Sequence, residues 1–563
     1  MALNRSRTTR QKVFSSRSRT GCRTCKLRHI KCDETLGSCN NCTSTGRTCD
    51  GSDHHLIIMN QKRLPAGPGT HALNSNLPWI SPSERRYLTF FQSYTLPMLV
   101  GYFDSELWQI LVLQLSQVEP AVCHAVAALG ALHEFVEVQG MRARDLKYKG
   151  WCRNFALYQY NRAILMLRQR LGSNDPQLRL VTLSCCMIFI FFEFTWGNYG
   201  AALTHLKCGL NILANREGSV GRSFVCASLY CHQHNPSSAE DTLVRAFAHL
   251  DVQAVHFDSS CNTSFYPAKV YMSTVQSRHL ELKNLQDAKE KLDPIINNIF
   301  CFRTICDTTL RDKSANHLPL YVEHQKLRLN LIDHIAAFDR YIDCFPPRTI
   351  KELRSVDLIR LHHSLITLVL ETVLSLSEMV FDKYIMEMSK SVDLCERVIN
   401  SLRAEHGNTL PTILMDMGVI LVLSWLSLKC REFKVRYRAL ELLRSWPHRE
   451  GPNESTKFLY SCAEAVKIES EGVDQSGYLP ERSRVRAIST QNLGDGKAVL
   501  HYTMSAPDKA RLDIHKRVFT MRDGHWERKD DTPGDPDMIG EKPSGQGGSK
   551  WNDFGLATSR SEE

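Results

Sequence analysis

The chain has 563 residues, a formal net charge of +10, and 43% hydrophobic against 23% charged residues. That is ordinary globular usage and excludes a largely disordered or fibrous protein. The length allows two to four domains at roughly 150 residues each.

Charge is unevenly placed along the chain. Residues 1–50 carry eleven Lys or Arg against three acids, Asp33, Glu34 and Asp50, which puts +8 of the +10 at this end. No acid precedes Asp33. Such a basic end is expected to meet a polyanion, either nucleic acid or an anionic membrane surface. Residues 1–20 are rich in Arg and Ser and contain no apolar stretch, so no secretory signal is legible. They read as a basic arm, suited to tracking phosphates or to nuclear import.

The next stretch, "GCRTCKLRHIKCDETLGSCNNCTSTGRTCDG", carries cysteines at 22, 25, 32, 39, 42 and 49. Cys22-x2-Cys25-x6-Cys32 and Cys39-x2-Cys42-x6-Cys49 have the same internal spacing, as expected of two halves related by a pseudo-twofold. Thiolates favour zinc, and a structural zinc takes four of them. Six sulfurs serve two zinc ions only if two sulfurs bridge, and symmetry nominates Cys22 and Cys39, each of which leads its half. Six thiolates with two Zn²⁺ leave a net −2, so surrounding Lys and Arg must outweigh that charge before DNA can approach. Three disulfides would use the same six cysteines but need an oxidising compartment. A single four-cysteine site would leave two cysteines unexplained.

On these residues the chain resembles the fungal zinc binuclear-cluster (Zn(2)-C6 type) transcription factors, with the motif complete from Cys22 to Cys49. The resemblance implies a short helix after the second cysteine that ends in the DNA major groove. It places Arg28 and His29 nearest the base edges and Arg23, Lys26 and Lys31 near phosphates. It also implies short CGG-type, GC-rich half-sites. Arg can donate two bonds to guanine in the major groove, whereas flanking cations give affinity without sequence. Two positions depart from the family: His29 stands where Lys or Arg is common, and Gly37 where Pro is common.

Residues 51–79 read as a linker, with "PAGPGTHALNSNLP" rich in Pro and Gly. No run of three or four heptads follows the cysteines, so no coiled coil is expected there.

Helical periodicity dominates 80–480, read as an all-helical regulatory domain. Ser81, Pro82 and Glu84 predict a capped helix start. Leu157, Tyr160, Ile164, Leu167 and Leu171 predict a core-facing stripe. Leu180–Phe192 is uncharged for thirteen residues between Arg179 and Glu193, too short for a bilayer that needs about 20. Together with Met417–Ser427 and the Leu358, Leu361, Leu365 and Leu368 series it reads as buried helix. Residues 481–563 read as mixed, with strands at "AVLHYTM" and "RVFTMRDGHWERK" turning at Asp523-Gly524, then a partly disordered tail.

No nucleotide-binding, zinc-protease or serine-nucleophile motif is present. His232 and His234 of "CHQH" are two apart and would fall on different helical faces. The expectation is therefore a mainly α, non-enzymatic, nuclear regulator of RNA polymerase II transcription. It would bind double-stranded DNA with two Zn²⁺, contact the transcription machinery and involve no membrane, acting either as a homodimer through the helical region or as a monomer on a single half-site. Two other readings stay open: a switch gated by a small molecule in the helical region, and a non-specific nucleic-acid-binding protein.

Overall fold

The computed structural model describes residues 24–25, 28–33, 39–47, 49, 80–140, 146–172, 175–214, 239–255, 280–407, 409–475, 477–494, 497–505, 512–522 and 525–528. The expected linker 51–79, the "CHQH" run and the tail beyond 528 lie outside them.

The protein is mainly α. After the short helix α1 (Asn40–Thr43), the body starts with α2 (Pro82–Phe90), which passes through a π-turn into α3 (Leu96–Leu99). It continues with α4 (Val112–Val118), α5 (Pro120–Gly140), α6 (Leu146–Arg170), α7 (Leu178–Trp196), α8 (Tyr199–Ala214) and α9 (Ala239–Val255). Four long helices follow: α10 (Leu285–Thr309), α11 (Leu318–Cys344), α12 (Ile350–Thr372) and α13 (Ile385–His406). The last three are α14 (Val419–Lys429), α15 (Phe433–Ser445) and α16 (Ser455–Ser470).

The predicted cap of α2 is present. Ser81 Oγ accepts from the Glu84 amide at 3.2 Å, and the Glu84 carboxylate accepts from the Ser81 amide at 2.7 Å. That carboxylate is also buried against Gln159 and Arg162, each 3.0 Å away. Burial pushes the Glu84 pKa up, but hydrogen bonds from His124 and Ser81 outweigh it and hold it at about 2.

The helices build two apolar cores. The first gathers α2 to α9 around α7, whose central residues are buried on every side. Among the described residues α7 alone is long and apolar enough to cross a membrane, yet 78% of its apolar window is packed inside the protein. The expected stripe of α6 is displaced. Ala156, Gln159 and Ala163 form its buried line, Leu157, Tyr160, Ile164 and Leu167 flank it half-buried, and Leu171 is exposed. Small side chains at the centre let α6 approach α5 closely.

The second core gathers α10 to α16 and includes Leu358, Leu361, Leu365 and Leu368 as expected. His362 and His363 are buried in the same helix, and His363 Nε2 lies 2.9 Å from His334 Nδ1.

Within the helical span lies one small sheet absent from the sequence reading: β1 (Ile413–Leu414), parallel to β2 (Arg449–Glu450), which pairs with β3 (Asn453–Glu454). Two-residue strands leave no periodic signature in sequence. β1 stands between the cores. Ile413 and Met415 join the first core, while Leu414 and Met417 join the second. Beside it, Glu450 is fully buried and accepts from the amides of Gly418, Val419 and Ile420 at 2.8–3.0 Å, which caps α14. Tyr102 Oη donates to it at 2.8 Å, and His448 lies at 3.1 Å. A Cβ on Gly418 would come within 2.4 Å of both Tyr102 and Glu450, so this position admits only glycine.

The C-terminal strands form an antiparallel meander of β4 (Val485–Gly494), β5 (Lys497–Ser505), β6 (Leu512–Arg522) and β7 (His525–Arg528). The two expected strand segments coincide with β5 and with β6 and β7, and Arg522 pairs with His525. β4 was not expected. Val485 to Ser489 are all buried, so neither polar alternation nor an apolar run marked it. The meander joins the second core through Val485, Ile488, Leu500 and Tyr502. The Glu469 carboxylate of α16 accepts from the Val485 amide at 2.6 Å.

Candidate metal centre and nucleic-acid interface

Two short turns carry the cysteines, and they repeat each other. In the first, the Ile30 amide donates to the Cys25 carbonyl at 3.2 Å; in the second, the Arg47 amide donates to the Cys42 carbonyl at 3.0 Å. Each bond closes a six-residue loop whose penultimate residue is left-handed: His29 at φ 55° and Gly46 at φ 61°. Cys25 and Cys42 are seventeen residues apart, and so are His29 and Gly46. The repeat read from spacing is therefore present in the local backbone. His29 occupies a conformation that glycine adopts freely and that His tolerates better than most residues.

The sulfurs converge. The Sγ atoms of Cys25, Cys32 and Cys39 lie within 4.8 Å of one another, and so do those of Cys39, Cys42 and Cys49. Cys39 belongs to both groups. Its sulfur is 3.5 Å from that of Cys25, and Cys25 is 3.9 Å from Cys42. A tetrahedral zinc with bonds of about 2.3 Å holds its sulfurs about 3.8 Å apart, so the spacing fits that ion. The Cys39 amide also donates to Cys49 Sγ, 3.2 Å away. Cys22, the expected second bridge, lies outside the described residues, as do Arg23 and Lys26.

Polar contacts join the two halves. Asp33 accepts from the amides of Asn40 at 2.9 Å and Asn41 at 3.4 Å, which places a carboxylate at the start of α1. Asn41 Nδ2 donates to the Lys31 carbonyl at 3.0 Å. Arg28 Nη1 donates to the Asn41 carbonyl at 2.9 Å and to Thr45 Oγ1 at 3.2 Å. Of the residues expected at DNA, Arg28 therefore lies half-buried against the second half, while His29 and Lys31 are exposed. Sequence reasoning passed over Asp33, Asn41 and Thr45. Asp33 did carry a signal, as the first acid of the chain placed just after the third cysteine.

Residues 20–55 match the fungal Zn(2)-Cys(6) binuclear cluster domain, a module that holds two zinc ions, and residues 86–402 match the fungal specific transcription factor domain. A cluster-specific transcription regulator of aspercryptin biosynthesis from Emericella nidulans is 25% identical over 421 residues, covering 68% of this chain and 64% of that protein. A transcription regulator from Purpureocillium lilacinum is 31% identical over 201 residues, covering 33% and 47%. A transcriptional regulatory protein from Schizosaccharomyces pombe is 60% identical over 72 residues, covering 13% and 14%. The chain thus spans less than two thirds of the length of each of these relatives. No solved structure matches it. With the cluster domain at one end and the second match extending over more than half of its residues, the chain belongs to the fungal specific transcription factors of the Zn(2)-Cys(6) type.

Proposed function

We propose that this chain is a nuclear, sequence-specific DNA-binding regulator of RNA polymerase II transcription, and that it acts by binding rather than by catalysis. The observation that carries this reading is the pair of sulfur triads sharing Cys39, set in the most basic stretch of the sequence. In this reading Cys22, Cys25, Cys32, Cys39, Cys42 and Cys49 hold the two zinc ions, with Cys22 and Cys39 bridging. Sulfur saturates both ions, so their contribution is a rigid fold. Arg23, Lys26 and Lys31 neutralise phosphates, while Arg28 and His29 approach base edges in a GC-rich half-site. Arg28 keeps one nitrogen on the second half and turns its other edge to guanine. The division of labour follows the sequence: arm 1–20, cluster 21–50, linker 51–79, helical regulatory region 80–480 and C-terminal region 481–563. Two copies joined through the helical region read paired half-sites and contact the transcription machinery.

The test is selection from a random DNA pool with the zinc-loaded full chain. Enrichment of a short GC-rich half-site is expected. Absence of enrichment, with two zinc ions per chain confirmed, overturns the reading in favour of non-specific binding. Non-specific affinity falls steeply with salt and shows no sequence ratio.

A second reading, a switch gated by a small molecule, is favoured by a cavity of about 1200 Å³ between the two cores. Phe103, Met187, Phe191 and Met415 wall it, and a buried charge cluster lies at its floor. There Lys289 Nζ is 2.7 Å from Asp416, and His249 is 2.7 Å from Asp293 and 3.0 Å from Asp416. A ligand that raises the melting temperature, and loses that effect in Phe191→Asp, would support it.

A further inference from the structure

The two halves of the cysteine module differ in charge. Between Cys22 and Cys32 stand Arg23, Lys26, Arg28 and Lys31, whereas the stretch "NNCTSTGRT" between Cys39 and Cys49 holds one cation, Arg47. The second half brings little charge to DNA, yet it is where Arg28 is anchored. Arg28 Nη1 donates to the Asn41 carbonyl at 2.9 Å and to Thr45 Oγ1 at 3.2 Å. Nη1 carries two hydrogens, so these two bonds occupy it completely. Thr45 is itself fixed: its hydroxyl donates to the carbonyls of Asn41 at 2.9 Å and Cys42 at 3.2 Å. Its one proton goes to those carbonyls, which leaves a lone pair for Nη1. Thr45 follows Arg28 by 17 residues, the offset that also relates Cys42 to Cys25, so equivalent positions of the repeat hold one another.

Two acceptors fix more than one does. A single bond at Nη1 lets the guanidinium pivot about it, whereas two bonds in the plane of the group hold that plane. The edge formed by Nε and Nη2 stays open, with no partner among the described residues. It offers two parallel N–H donors, the geometry that guanine O6 and N7 accept in the major groove.

We infer that Thr45, with the Asn41 carbonyl, is a specificity-determining positioning residue: it orients Arg28 toward guanine from the opposite half of the module without touching DNA itself. The first half reads and the second half aims. Arg28 keeps its charge whatever stands at position 45, so the effect falls on discrimination between bases and not on the charge-driven part of binding. The inference rests on the reading of Arg28 as a base contact, and it makes the preference for guanine a property of both halves.

Competition binding by the zinc-loaded full chain tests it. The competitors are the selected half-site and the same site with adenine in place of the guanine whose preference Arg28→Ala removes. Thr45→Val keeps the shape and removes the acceptor, and should lower the guanine preference about three- to tenfold. Thr45→Ser keeps the hydroxyl and should retain the wild-type preference. In an Arg28→Ala background, Thr45→Val should change the preference no further, because its route to DNA is gone. Elemental analysis should give two zinc ions per chain in each variant, and Thr45→Ala takes the place of the valine if that variant loses metal. Four outcomes overturn the inference alone, each with a wild type that still selects its half-site: a valine variant as selective as the wild type, a serine variant no better than the valine, a valine effect that persists without Arg28, or an Arg28→Ala chain with the wild-type base preference. A wild type that shows no sequence ratio sinks the regulator reading and this inference with it.

Discussion

The cysteine module and the helical body are held together by different physics. In the module, the buried cluster among the described residues consists of Cys25, Cys32, Cys39 and Cys42, with Cys49 beside it. The described residues of the module hold no apolar core to collapse, so free energy must come from metal–sulfur bonds and a few polar struts. In the body, two apolar cores supply the driving force, and two of the carboxylates buried inside them are each met by several donors. Glu450 faces three amides, Tyr102 and His448, and Glu84 sits among Ser81, His124, Gln159 and Arg162. The difference teaches that the module responds to metal and the body to packing and protons, so the two can be broken separately.

The largest expected effect separates them directly. Cys39→Ser removes the sulfur common to both triads and should abolish stoichiometric zinc and sequence-specific DNA binding. The metal free energy at stake is on the order of 10–16 kcal/mol. The melting of the body should not move. Elemental analysis with calorimetry checks this, and a body that melts early in Cys39→Ser would break the comparison.

Glu450→Ala is the converse. It strands the amides of Gly418, Val419 and Ile420 and should cost about 3–5 kcal/mol in urea unfolding, with zinc stoichiometry intact.

The pH dependence of the body follows in part from two groups held below their unfolded pKa values. Burial lowers the His362 pKa to about 4, below its unfolded value of about 6.5. The unfolded chain therefore binds the extra proton first, and stability present above about pH 6.5 is lost as pH falls toward 4. Glu84, held at about 2, adds stability that is present above about pH 4.5 and lost as pH falls toward 2. Urea midpoints should fall between pH 7 and 4, and His362→Gln should flatten the upper part of that decline. An unchanged slope in this variant would remove His362 from the account.

Two smaller effects sharpen the module. Arg28→Ala should cost roughly 1–3 kcal/mol at one base pair of the half-site, whereas Lys31→Ala should weaken all sequences alike and lower the salt slope by about 1. Competition binding at two salt concentrations distinguishes them. His29→Gly should stabilise the zinc-loaded module by up to about 1 kcal/mol by relieving its positive φ. A loss of stability would mean that the imidazole makes a contact worth more than the strain.

Legibility divides along the same line. In the module, Cys25, Cys32, Cys39, Cys42 and Cys49 lie within 25 positions, and the repeat of x2 and x6 spacings appears again in the backbone as the paired loops ending at Ile30 and Arg47. The cap at Ser81 and Glu84 was equally readable, because its partners are three residues apart. The centre of the α6 interface was not, since Ala156 and Ala163 are buried for their smallness and leave no apolar peak. β4 was missed because both faces of its first five residues, Val485 to Ser489, are covered, and covering is a property of neighbours.

By itself, then, the sequence determined the cysteine module, the mainly helical character of the body and the start of its first helix, because each depends on residues close enough in the chain to show a period or a spacing. Tertiary structure alone decided where the buried charges find partners. Tyr102 reaches Glu450 across 348 positions, and Gln253 reaches the Met415 carbonyl across 162. It also decided that β1 divides two cores. Contacts between distant segments leave no local pattern, and only the packed chain brings those partners within hydrogen-bond distance.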